Sequence, residues 1–165
     1  MGRARLQMRD GAGSTSDRLV LKWRGAATTQ LELGDPVSAD AYTLCVYDES
    51  GPTPQTLVSA TVPPGGMCGT RACWTSVPAK GFKYASRNGA PDGIVRLRVK
   101  PGVDDAARTS LTAKGTALDV PALPLALPAR AQLRATNGLC QQSVYSTGGV
   151  RRNDAQQFSG RADGP

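Results

Sequence analysis

Between residues 41 and 74 the chain alternates polar and apolar side chains over Ala41-Tyr42-Thr43-Leu44-Cys45-Val46-Tyr47-Asp48 and turns at Glu49-Ser50-Gly51-Pro52. It runs out again over 55–62 and closes in the loop Pro63-Pro64-Gly65-Gly66-Met67-Cys68-Gly69-Thr70-Arg71-Ala72-Cys73-Trp74. Period-two alternation bounded by glycine, proline and acidic turn residues marks half-buried strands. Three of the four cysteines fall in this one stretch. Extended segments joined by tight turns and tied by cross-links leave few architectures open, and they predict a small, all-β, extracellular domain.

The same punctuation recurs along the chain, with 19 glycines and 12 prolines spread between short apolar runs. Leu19, Leu21 and Trp23 share one face of a first strand, with Trp23 read as core, and 28–33 reads as a second alternating piece closed by Gly34-Asp35-Pro36. Both faces of 41–48 are partly apolar, which suggests a central strand, and 55–62 is its natural hairpin partner. Asp48-Glu49-Ser50-Gly51 lacks the regular acidic spacing of a calcium loop and reads as a turn. Further strands are expected at 81–84, 94–100, 108–114 and 117–120, with two positive-φ glycines, Gly89 and Gly93, in the turn before 94. The three prolines of 121–128 forbid a central strand or helix there and suggest a crossover laying its leucines on the core. Asn137-Gly138 between 130–136 and 139–145 is a strong hairpin signal, and Phe158 is a final apolar anchor.

These runs predict an antiparallel β-sandwich of about nine or ten short strands, with a β-barrel as the alternative. One domain is expected at 18–158. Residues 1–17, with Arg3, Arg5 and Arg9 and a Gly-Ala-Gly-Ser-Thr-Ser run, read as a disordered basic arm or linker, and 159–165 as a loose tail.

An even number of cysteines without histidine favours disulfides over zinc, because the spacings lack two close pairs. The expected bridges are Cys68–Cys73, closing a short loop, and Cys45–Cys140, joining distant strands. On a loop-entropy estimate they contribute about 2 and about 5 kcal/mol. Bridged cysteines imply an extracellular or cell-surface location, yet the basic start Met1-Gly2-Arg3 has no apolar segment behind it, so the chain is expected to be a fragment, an excised domain or a mis-called start, with the export signal upstream. No apolar run is long enough to span a bilayer.

The absence of histidine excludes Ser-His-Asp and Cys-His catalysis and histidine metal sites. The aspartates Asp35, Asp48, Asp92, Asp104 and Asp119 stand in turns, where they cap backbone amides, so no catalytic residue, metal or cofactor is assigned. A net charge of +7 admits an anionic partner. The cleanest strand, Ile94-Val95-Arg96-Leu97-Arg98-Val99-Lys100, turns Val95, Leu97 and Val99 inward and sets Arg96, Arg98 and Lys100 in an outward row. Such a row either binds an anionic polymer or guards an exposed sheet against pairing, and the guard is the simpler reading. Nucleic acid is the less favoured partner, since the basic arm has no interleaved aromatics.

Leu21-Lys22-Trp23, Gly34-Asp35-Pro36, the 42–48 strand, Val62-Pro63-Pro64-Gly65-Gly66-Met67-Cys68, Cys73-Trp74, Gly81-Phe82-Lys83-Tyr84 and the 121–125 run together resemble an uncharacterised β-rich domain of predicted secreted or cell-surface proteins of myxobacteria-like bacteria. The resemblance spans most of 18–158. It implies an exported, modular context, sometimes beside other extracellular domains, and transfers no activity and no binding residue. The expected function is a non-catalytic extracellular structural or adhesive module. The alternative is a module binding an anionic glycan or cell-envelope polymer, with an enzyme lacking histidine chemistry as a remote third.

Overall fold

A computed structural model describes residues 3–11 and 13–163. In chain order the strands are β1 (Arg3–Arg9), β2 (Arg18–Gly25), β3 (Tyr42–Asp48), β4 (Gln55–Val62), β5 (Met67–Cys68), β6 (Arg71–Ala72), β7 (Trp74–Val77) and β8 (Gly81–Ala85). They continue as β9 (Ile94–Lys100), β10 (Ala107–Lys114), β11 (Ala129–Ala135), β12 (Cys140–Tyr145), β13 (Val150–Asn153) and β14 (Gln157–Arg161). Apart from one 3-10 turn at Ser14–Ser16, no helix occurs among the described residues.

Eight strands form one antiparallel sheet in the order β13-β14-β1-β2-β10-β9-β8-β7, and four form a second in the order β12-β11-β3-β4. Neither closes into a barrel, and the two face each other as a sandwich. Alternation places Leu6 and Met8 of β1, Leu19 and Leu21 of β2, Leu97 and Val99 of β9 and Leu111 of β10 against Leu44, Val46, Val58, Ala131 and Leu133 of the smaller sheet, all almost fully buried. Two aromatic contacts span the layers. Tyr42 meets Trp74 at 5.7 Å between ring centroids, and Tyr145 meets Phe158 edge-on at 6.1 Å. The buried Thr109 hydroxyl donates to Gln141 Oε1 at 2.6 Å, adding a polar tie between β10 and β12.

Several expectations hold. The 41–48 strand is interior to its sheet with 55–62 beside it, and the Asn137-Gly138 hairpin forms. Gly89 and Gly93 take φ of 65° and 90° in their turn. The proline-spaced run crosses from β10 to β11 and buries Leu125. Cys68 and Cys73 are bridged across the β5–β6 hairpin, with Cα atoms 4.9 Å apart.

Others are corrected. Most of the expected basic arm is β1, paired along its length with both β14 and β2, and Ala4, Leu6 and Met8 are buried. The expected loose tail is ordered as far as Arg161 in β14, where Ser159 and Gly160 are buried between neighbours; residues 164–165 lie outside the described part. Residues 28–33 form a turn rather than a strand, because Thr29 and Glu32 cap each other. Glu32 accepts from the Thr29 amide at 2.7 Å and hydroxyl at 2.8 Å, while the Glu32 amide donates to the Thr29 hydroxyl at 3.2 Å. Residues 117–120 are also outside any strand, although Leu118 packs into the core.

Cys45 and Cys140 are free thiols rather than a bridge. Both flank β11, Cys45 opposite Gln132 and Cys140 opposite Arg134, on opposite sides of that strand. Two strand spacings separate them by about 9–10 Å before the register offset is added, beyond the reach of a disulfide of roughly 7 Å.

Candidate functional site

The outward positions of the eight-stranded sheet carry most of the chain's 20 lysines and arginines. Alternation sends the apolar half of each strand inward, so Arg3, Arg5 and Arg9 of β1, Arg18, Lys22 and Arg24 of β2, Arg108 and Lys114 of β10, Lys83 of β8 and Arg161 of β14 join Arg96, Arg98 and Lys100 of β9 on one surface. None of the eight strands contains an aspartate or glutamate.

Register arranges these side chains in rows across the strands. Arg3, Arg24, Arg108 and Lys100 are successive cross-strand partners, so four cations stand side by side. The next row runs Arg161, Arg5, Lys22, Ser110, Arg98, Lys83. A neutral row follows, Ser159, Gln7, Val20 and Thr112, ending in Arg96. Then comes Gln157, Arg9, Arg18, Lys114. Neighbouring strands are about 4.8 Å apart, and like charges directly opposed at that distance destabilise a sheet.

Counter-charges do not relieve this crowding. Among the described residues the ion pairs are Arg130–Glu49, on the other sheet, and Arg152–Asp154, at the edge beside β14. Carboxylates near the ends of the basic strands are used on backbone amides instead. Asp17 accepts from the Gly11 amide at 3.0 Å and Asp104 from the Ala27 amide at 2.8 Å. Arg24 Nε on this face and Arg130 Nε on the other sheet are both buried with no hydrogen-bond partner among the described residues. A trough of about 460 Å³ lies on this face, lined by Gln7, Arg9, Arg18, Val20, Lys22 and Thr112 with Met8 and Gln157. Its lining has no carboxylate.

Arg96, Arg98 and Lys100 are exposed and in one row, as expected, but they are one margin of a larger surface. Missed by sequence reasoning were the cations of β1, β2, β10 and β14. The signal is present in Arg3-Ala4-Arg5-Leu6-Gln7-Met8-Arg9, a strict polar–apolar alternation that outweighs the segment's charge density.

Asp48 and Asp92 are both taken up by backbone amides. Asp48 accepts from the Ser50 amide at 2.8 Å, and hydrogen bonds from the Ser50 hydroxyl and amide hold its carboxyl below the usual range. Asp92 accepts from the Thr61 amide at 2.8 Å and so ties the turn before β9 to β4. No cluster of cysteine, aspartate and glutamate able to hold a metal occurs among the described residues, and no helix there is long and apolar enough to cross a membrane. No family model, curated protein or solved structure matches this chain.

Proposed function

We propose that this protein is a non-catalytic extracellular binding module that holds an anionic polymer against the outer face of its eight-stranded sheet. One observation carries the reading: cations stand in register across up to four successive strands without a carboxylate among them. A guard against edge pairing needs a charge or two on an edge strand. It does not call for opposed cations on β1, β2 and β10 in the interior of the sheet, where the repulsion costs stability and strand pairing is already complete. A polyanion reverses the sign of that cost, because the cations of the face replace the polymer's condensed counterions and release them to solution. The Cys68–Cys73 bridge supports an oxidising, extracytoplasmic setting.

Lysine acylation with and without a sulfated polysaccharide tests the proposal. Lys22, Lys83, Lys100 and Lys114 are expected to be protected by the polymer, while Lys80, in the turn between β7 and β8, stays reactive. Uniform labelling of all five with polymer present would overturn the placement.

A further inference from the structure

The basic face is not evenly charged. Rows through Arg5 and Lys22 on one side and Arg9 and Arg18 on the other are four residues apart along β1 and β2, about 13–14 Å at strand rise. Between them lies the neutral row of Ser159, Gln7, Val20 and Thr112, of which Gln7, Val20 and Thr112 line the trough, with Lys22 on one side and Arg9 and Arg18 on the other. The result is a groove running across the strands, with cationic walls and a floor that offers an amide, a hydroxyl and one aliphatic side chain. The groove is a shallow one, open to solvent along the face, with a volume of about 460 Å³.

Resting on the polyanion reading, we infer that this groove holds a linear anionic polysaccharide laid perpendicular to the strands, with one sugar ring over Val20. Sulfate or carboxylate groups on the two edges of the ring plane reach the two walls, and its hydroxyls meet Gln7 and Thr112. Val20 presents a C–H surface to the ring, which explains an aliphatic side chain at the centre of a charged face. The same floor argues against single-stranded nucleic acid. Such ligands stack bases on aromatic side chains, and the outward positions of these strands hold none: Trp23, Trp74, Phe82, Tyr84 and Phe158 all face the core.

The charge-only and groove accounts differ in sign for one substitution. Val20→Arg adds a positive charge to the face and fills the groove. Binding of a sulfated glycosaminoglycan octasaccharide, measured by calorimetry in 100 mM salt, is expected to weaken about tenfold, or about 1.4 kcal/mol. Lys100→Ala with Arg108→Ala, outside the groove, is expected to cost less. Octasaccharide binding that is unchanged or tighter in Val20→Arg would overturn the groove while leaving the polyanion reading standing. An equal loss for a single-stranded oligonucleotide of matched charge would overturn the choice of polysaccharide. Wild-type protein that binds neither ligand would remove the polyanion reading itself. Thr112→Arg fills the same floor from β10 and serves as the second variant, each checked for folding by its melting curve.

Discussion

The two outer faces of the sandwich are built from the same alternation and reach opposite chemical states. On the four-stranded sheet, outward side chains pair with one another, although Arg130 Nε is buried with no hydrogen-bond partner among the described residues. Thr43 and Thr61 hydroxyls are 3.0 Å apart, Gln132 donates to Gln142 at 3.0 Å, Arg130 pairs with Glu49, and its guanidinium sits 5.4 Å from the Tyr47 ring centroid. On the eight-stranded sheet the outward side chains are mostly cations facing cations. A face that answers its own polar groups is finished by folding. A face that leaves them opposed is the one on which the proposed polyanion acts.

The largest expected effect on stability lies in neither outer face but in the core, on tyrosines that the smaller sheet turns inward. Burial pushes the Tyr145 hydroxyl up to about 12 from 10, with the Ser143 hydrogen bond opposing, and burial also raises Tyr42, aided by the Asp40 charge. Tyr47 is raised as well, chiefly by its hydrogen bond with the Cys45 thiol. Below pH 10 both folded and unfolded chains hold these protons, so stability is whole. Above it the unfolded chain releases them first, and stability falls until the pH passes the folded values. Tyr145 alone accounts for a loss of about 2 kcal/mol by pH 12. Without histidine, stability should be flat from about pH 6 to 9. Denaturant midpoints at pH 8, 10 and 11 check this. Tyr145→Phe should flatten the alkaline loss, and an undiminished loss in that variant would refute the assignment.

Smaller effects should move in opposite directions on the two faces. Lys22→Glu places a carboxylate between Arg5 and Ser110 and should raise stability by about 0.2–1 kcal/mol while weakening polyanion binding. Arg130→Ala removes the Glu49 pair and the Tyr47 contact and should lower stability by no more than about 1 kcal/mol, leaving binding unchanged. Melting temperatures and affinities of the two variants together test the comparison. Lys22→Glu losing stability, or Arg130→Ala losing affinity, would collapse the distinction between the faces.

Much of the fold was legible because each strand announces itself locally. Ile94–Lys100 and the Asn137-Gly138 hairpin needed only alternation and a turn. The Cys68–Cys73 bridge needed only a short loop. What sequence left hidden was neighbourhood. Nothing local says that β11 stands between Cys45 and Cys140, or that β1 inserts between β14 and β2, since both depend on pairings between distant segments. The candidate site suffered most for that reason. Arg96, Arg98 and Lys100 were visible as a row along one strand, whereas Arg3, Arg24 and Arg108 become a row only once register aligns three more strands. Charge density in residues 3–9 also argued for disorder, and the buried Ala4, Leu6 and Met8 outweigh it.

The central claim is most directly tested by the salt dependence of binding to a sulfated polysaccharide from 50 to 300 mM salt. Several cations neutralised together should make the logarithm of the association constant fall linearly and steeply with the logarithm of salt, each contact contributing a slope near −1, as on a nucleic-acid backbone. Arg5→Ala, Arg9→Ala, Arg18→Ala and Lys22→Ala combined should reduce both affinity and slope. Binding that is absent at 50 mM, or present with a flat slope, would contradict the account.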